Sequence, residues 1–332
     1  MSITAKFIAK QLNLSAAAVS MALNNKPGVS TETKKRILET AKALGYDFTK
    51  IKHTTNNCNI INFILYNKNG IFDIPFFTEL ISGVENGFKN TNYKLIVNHI
   101  NDDDNIPDKL SEILLNGCKG IILLGTEMSK EDFFYFQSFE IPIILLDSYF
   151  TSSKIDCIQI NNRDGAKLAT THLIKKRHSQ PGYLRSSCRL SNFDERADGF
   201  FSAIRQNGLS VSKSIVHYLS PTVDAAYSDM INLLNQNEEI ATCYFADNDE
   251  IAIGAMKAFI EKGYKIPKDI SIIGFDNIPF SSYISPPLTT INVPKSYIGK
   301  LASERMMSII NGTEFHPIKI EVNTTLIIRD SV

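Results

Sequence analysis

No run of about 18 apolar residues occurs in this 332-residue chain, so no membrane-spanning helix and no membrane partner are expected. The opening MSITAKFIAKQLNL lacks the apolar core and small-residue cleavage site of a signal peptide, so the cytoplasm is the expected compartment. Cysteine is sparse and odd in number. Cys58, Cys118, Cys157, Cys188 and Cys243 form no C-x-x-C pair, so neither a disulfide framework nor a zinc site is indicated. Enzyme signatures are missing as well: there is no G-x-S-x-G elbow, no Walker loop, no H-E-x-x-H and no G-x-G-x-x-G. The histidines are dispersed, and the acid run Asp102–Asp104 sits in the polar turn NDDDNIPD, where it reads as solvated. No catalytic residue, metal or cofactor is called for.

Net charge is also lacking, but the zero is an average. Residues 1–58 hold nine Lys and Arg against three acids, which leaves the remainder with six acids in excess. A basic head on an acidic body is the electrostatic pattern of a chain that meets nucleic acid through its head. The head itself reads as three short helices over residues 1–48. Thr4 caps the first, whose Ala5, Ile8, Ala9 and Leu12 recur at helical spacing. Asn13 suits a left-handed turn, and Ser15 caps a second helix with Ala18, Val19, Ala22 and Leu23 on one face. NNKPGVS is a loop, and Ser30 caps a third helix that stops at Gly45. Residues 49–58 are polar and aperiodic and read as a linker.

From residue 59 the pattern becomes strand–helix–strand–helix. Near-continuous apolar runs such as IINFILY (60–66), GIILLG (120–125), IPIILLD (141–147) and DISIIGFD (269–276) alternate with helix-length segments such as 163–176 and 248–262. That alternation predicts doubly wound parallel sheets. Some 270 residues exceed one such sheet, and 43 % hydrophobic content supplies core for more than one, so two lobes are expected.

The frame IAKQLNLSAAAVSMALNNKPGVSTETKKRILETAKALGY resembles the DNA-binding head of the lactose-repressor-like (LacI/GalR) transcription factors. It keeps Ala9, Ser15, Val19, Ser20, Leu23, Asn24, Val29, Ser30, Thr33, Leu44, Gly45 and Tyr46 of that pattern. It departs at Phe7, Asn13, Leu14, Ala18 and Met21. The resemblance implies a helix-turn-helix whose Thr4, Ser15, Ser20, Asn24, Ser30 and Thr33 lie along phosphates. Ala16, Ala17 and Met21 would then face base edges. An apolar reading face suits thymine methyls, so an A·T-rich half-site is expected. The linker lacks the Pro-Asn-x-x-Ala-Arg-x-Leu of relatives, and Thr55 stands near the place of the wedging Leu. Lys50 and Lys52 are candidate phosphate contacts in its stead.

The body resembles the same family, which implies a two-lobed core like that of periplasmic sugar-binding proteins. Lobe one is expected over about 59–160 and 291–320, and lobe two over about 161–290 and 321–332. IPFFTELISGVEN (74–86), NFDERADGF (192–200), FADNDEIAIGAMKAF (245–259) and GFDN followed by PPLTTI carry the likeness; Asp247 stands where the family has Ala. The effector residues implied are Phe72, Phe76, Asp147, Arg196, Asn248 and Asp276. Their carboxylate, guanidinium and amide groups suit the hydroxyls of a carbohydrate, and they fall at strand ends, where ligands sit in open α/β sheets. Of Phe76 and Phe77, one is expected to face the cleft and the other the core. Asp249 is expected to be a structural acid at a helix N-terminus, and His178 a surface or capping residue. The implied function is a homodimeric repressor. It would bind a palindromic double-stranded operator under control of a small polar effector. A free sugar-binding or transport protein would share the core but would not need the basic head.

Overall fold

The computed structural model of the chain describes residues 3–23, 28–46, 59–68, 75–115, 117–138, 141–151, 154–313 and 316–332. Two expected site residues, Asn24 and Phe72, lie outside the described residues, as does the linker 49–58 with Lys50, Lys52 and Thr55.

The head is three helices, α1 (Ala5–Leu12), α2 (Ala16–Leu23) and α3 (Thr31–Ala43). Asn13 closes α1 in the left-handed region, φ 59°, where its short amide side chain is tolerated. Ile8, Ala9, Val19, Ala22, Leu23, Ile37 and Ala41 are buried together as a small separate core. The residues at helical spacing in the sequence are thus the ones that meet.

The first sheet is built from β1 (Ile60–Asn67), β2 (Lys94–Asn101), β3 (Gly120–Leu124), β4 (Ile143–Leu146) and β5 (Asp156–Ile160). Helices α4 (Pro75–Phe88), α5 (Ile106–Leu115) and α6 (Lys130–Phe134) lie between them. The second contains β6 (Gly182–Ser186), β7 (Val216–Leu219), β8 (Cys243–Ala246), β9 (Ser271–Asp276) and β10 (Thr289–Asn292), with α7 (Asn162–Arg177), α8 (Ser191–Gln206), α9 (Val223–Asn235) and α10 (Asp249–Glu261). The chain then returns through α11 (Lys295–Ile310) and β11 (Lys319–Val322) to the first sheet, and through β12 (Thr325–Ile327) to the second. The strand orders are β11-β5-β4-β3-β1-β2 and β12-β10-β9-β8-β6-β7. Pairing is parallel except between β10 and β12.

The strands β7, β10 and β11 have no counterpart among the apolar runs of the sequence. Each is four residues long and includes polar or exposed positions. The chain passes between the sheets after Asn292 at the end of β10 and after Val322 at the end of β11, within two residues of the approximate lobe limits expected at 290/291 and 320/321.

Helix α11 lies backbone to backbone on α4. A Cβ at Gly299 would fall 2.3 Å from Leu80 O, and one at Gly83 would fall 2.3 Å from Ser296 O. Only glycine permits this approach, which ties the returning chain to the first lobe. Gly299→Val should therefore force the helices apart, at a cost of at least ~1–3 kcal/mol, and lower the first melting transition in calorimetry.

Candidate functional site

Two places gather the residues of interest, the exposed face of the head and the cleft between the sheets. In the head, hydroxyls open each helix. Thr4 Oγ1 accepts from Phe7 N at 3.4 Å, Ser15 Oγ from Ala18 N at 3.0 Å and Ser30 Oγ from Thr33 N at 3.2 Å. Each cap occupies an acceptor lone pair of its hydroxyl. The Ser30 hydroxyl donates on to Thr33 Oγ1 at 2.8 Å, so Thr33 carries the outer proton of that pair. Ser15, Ala16, Ala17 and Ser20 are exposed on α2, whereas Met21 is half-buried beside Gly28. Ala16 and Ala17 thus form a small apolar patch at the open end of α2, framed by hydroxyls.

In the core, one cleft is lined by Phe76, Phe77, Thr126, Asp147, Leu190, Asn192, Phe193, Arg196, Asn248 and Asp276. Five of the expected effector residues, Phe76, Asp147, Arg196, Asn248 and Asp276, converge there from both lobes. Phe76 and Phe77 both line it and are both buried, ring edge to ring face at 5.1 Å, which corrects the expected division between cleft and core. Thr126, Leu190, Asn192 and Phe193 had not been singled out in the sequence. Asn192 and Phe193 sit four and three residues before Arg196 on α8, and Thr126 follows β3 at its carboxyl end, so helical spacing and the strand-end rule point to them. The space left at the centre, about 40 Å³, admits a few waters at roughly 10–15 Å³ each. The cleft is narrow at its centre and open to solvent at its mouth.

Arg196 is the hub of the lobe-two wall. Its Nε donates to Asn162 Oδ1 at 2.9 Å, Nη1 to the main-chain O of Asp247, and Nη2 to Asp276 Oδ1 at 3.0 Å. The guanidinium lies 3.8 Å from the centroid of the Phe275 ring. Asn248 accepts from Ile251 N at 2.9 Å and so caps α10 while lining the cleft. On the lobe-one wall, Asp147 Oδ2 accepts from the Thr126 hydroxyl at 2.7 Å, and its buried Oδ1 has no hydrogen-bond partner. Burial pushes the Asp147 carboxyl up to about 6, against the pull of Thr126 and Arg196.

Behind the cleft, Asp247 is fully buried; Ser186 N donates to it at 2.6 Å and the Tyr183 hydroxyl also donates to it. Burial raises this carboxyl to about 6. Asp249 is a structural acid, and more than a cap: it accepts from Ile278 N at 2.9 Å and from the Thr290 hydroxyl, joining α10 to the segments after β9. Burial first, then the charge of Asp276, raises it to about 8. His178 closes α7 at φ 49°. Among the described residues no cluster of metal-ligating side chains occurs, and no helix is long and apolar enough to cross a membrane.

The family profile described as "Bacterial regulatory proteins, lacI family" matches residues 4–47, and that described as "Periplasmic binding protein-like domain" matches 170–332. A probable HTH-type transcriptional repressor ExuR of Bacillus subtilis (strain 168) is 31 % identical, the match covering 99 % of this chain and 98 % of the relative. An HTH-type transcriptional repressor PurR of Actinobacillus pleuropneumoniae serotype 3 (strain JL03) is 29 % identical with the same coverage. Among solved structures, a LacI family transcriptional regulator from Enterococcus faecium with bound ribose is 26 % identical, with a TM-score of 0.72 over 82 % of this chain and 98 % of that one. The Lac repressor bound to ONPG shares the fold over the whole of both chains, with a TM-score of 0.73 at 18 % identity. The chain belongs to the lacI family of bacterial regulatory proteins. It is a DNA-binding transcriptional repressor of helix-turn-helix type, a regulator rather than an enzyme.

The raised carboxyls fix the sign of a pH effect. The folded chain holds the Asp249 proton up to about pH 8, while an unfolded chain releases it near 3.8, so between these values folding takes up a proton. Stability of the ligand-free protein should therefore fall as pH rises from 5.5 to 8.5, and Asp249→Asn should flatten the slope of melting temperature against pH.

Proposed function

We propose that the chain represses transcription as a homodimer in the cytoplasm, on a palindromic, A·T-rich operator, and that a carbohydrate bound in the cleft between the lobes switches it. The observation that carries the effector reading is the convergence of Phe76, Asp147, Arg196, Asn248 and Asp276 on one cleft. Carboxylates accept the hydroxyls of a sugar, Arg196 and Asn248 donate to its oxygens, and the rings of Phe76 and Phe77 cover an apolar sugar face. The ribose-bound relative from Enterococcus faecium supports the ligand class. Because the cleft lies between the lobes, a sugar bound in it acts by differential affinity for one degree of lobe closure. That closure sets the spacing of the two heads, which couples sugar to DNA.

Dimerisation supplies the second half-site. Edge strand β2 leaves Ile96 and Val97 about two-fifths exposed, between Lys94 and His99, beside a largely polar hollow of about 360 Å³, and this sheet edge is the surface we assign to the second copy. In the head, the exposed Ser15 and Ser20 and the cap hydroxyls of Thr4 and Ser30 contact phosphates, with Thr33 in support; Asn24 is assigned to the same row by its place in the motif. Ala16, Ala17 and Met21 contact thymine methyls.

A thermal-shift screen of sugars should find a ligand that raises the melting temperature of the native protein. Asp276→Asn should weaken that ligand by at least tenfold in calorimetry; unchanged affinity would remove the cleft from the account. Ala17→Glu should abolish specific DNA binding in fluorescence anisotropy while leaving the sugar response of the core intact. If Ala17→Glu bound the operator normally, α2 would not be the reading helix.

A further inference from the structure

The charges that surround the cleft are unbalanced, and the imbalance selects among ligands. Among the described residues that line it there are two carboxylates, Asp147 and Asp276, and one cation, Arg196. A third carboxylate, Asp247, lies directly behind, since its own main-chain O takes a bond from Arg196 Nη1. The guanidinium is already paired with Asp276 and held at three nitrogens by protein acceptors. The nearest second buried cation, Lys295, is turned away: its Nζ donates to Asp276 O at 2.7 Å and Asn277 O at 3.1 Å and lies 3.6 Å from Glu79. The buried polar atom of the cleft without a partner is an acceptor, Asp147 Oδ1.

Helix N-termini do not restore the balance. Helix α8 opens with Asp194 in its first turn and α10 with Asp249 and Glu250, whereas α4, whose Phe76 and Phe77 line the cleft, has no acid there; one first-turn dipole without a side-chain cation is weak compensation for a phosphate. The remaining lining is apolar: Phe76, Phe77, Leu190 and Phe193. A phosphate or carboxylate on the ligand would enter beside three carboxyls with no uncommitted cation among the lining residues to meet it.

From this cleft we infer that the effector is an uncharged sugar, which donates a hydroxyl to Asp147 Oδ1, and that the excess of the Asp147, Asp247 and Asp276 carboxyls over uncommitted cations excludes sugar phosphates and sugar acids. Asp247 is the distinctive part. The family resemblance puts Ala there, and the acid adds a negative charge behind Arg196 without touching the ligand. It acts as a specificity-determining residue at one remove. The inference rests on the cleft being the effector site.

The test is a calorimetric and thermal-shift panel of matched sets: neutral pentoses, hexoses and disaccharides, their phosphates and their uronic acids. Ribose with ribose 5-phosphate, and glucose with glucose 6-phosphate and glucuronate, are the core pairs. Every binder should be neutral, and each acidic counterpart should bind at least tenfold more weakly. Asp247→Asn, which keeps the shape of the side chain and removes its charge, should narrow that ratio by threefold or more. A merely structural role for Asp247 would weaken both members of a pair alike and overturn this assignment. A phosphate or uronate that binds more tightly than its neutral partner, and loses binding in Asp276→Asn, would overturn the inference while leaving the cleft as the effector site. Binding that ignores Asp276→Asn, or no binding by any member, would overturn the cleft reading itself.

Discussion

Burying one guanidinium is the constraint on which the effector lobe depends. A charge in that position is tolerated only when its donors are met on every side. Arg196 achieves this by drawing together Asn162 at the start of α7, the main-chain O of Asp247 after β8 and the carboxylate of Asp276 at the end of β9, above the Phe275 ring. Asp276 and Asn277 adopt φ of 104° and 50°, a conformation that costs energy in a non-glycine residue and persists only when its surroundings over-determine it. They do so here. Lys295 holds the carbonyls of both residues, and Arg329 Nη2 donates to Asn277 Oδ1 at 2.7 Å. The cleft-lining carboxylate of Asp276 is thus set by side chains that do not themselves line the cleft.

The same contacts join the lobes. Lys295 starts α11, the helix that lies against α4 of the first lobe, yet its ammonium is fixed to the end of β9 in the second. Asp147 from the first lobe sits across from Arg196 and Asn192 of the second. A ligand that enters between these groups replaces protein–protein contacts with protein–ligand contacts, so it has differential affinity for different closures, which is what a switch needs.

Much of this was legible in the sequence because the physics is local. Near-continuous runs such as IINFILY and GIILLG leave a buried parallel strand as the simplest solution, and the residues just past such runs, Asp147, Asn248 and Asp276, are where ligands gather. Arg196 came from the segment that resembles the family. What escaped has non-local causes. VHYL, TTIN and KIEV are too short and too polar to announce strands, and they pair because neighbours already stand beside them. Phe76 and Phe77 both line the cleft because Phe193 and Arg196 of lobe two stand opposite the start of α4, which spacing on one helix does not encode. The roles of Asn162, Lys295 and Asp247 as supports are visible only once three distant segments meet at Arg196.

In the head, Thr4, Ser15 and Ser30 cap the helices and the exposed surface of α2 at Ala16 and Ala17 is nearly bare. Under the proposed function such a head discriminates modestly, and control is left to how the core spaces two of them. The measurement that tests this most directly is operator affinity at fixed salt, with and without the saturating sugar found by screening, in the native chain and in Arg196→Lys. A lysine cannot reproduce the planar fork. The account predicts equal affinities without sugar, a change of at least tenfold on adding sugar to the native protein, and less than a twofold change in the variant. An equal sugar response in both proteins would contradict it.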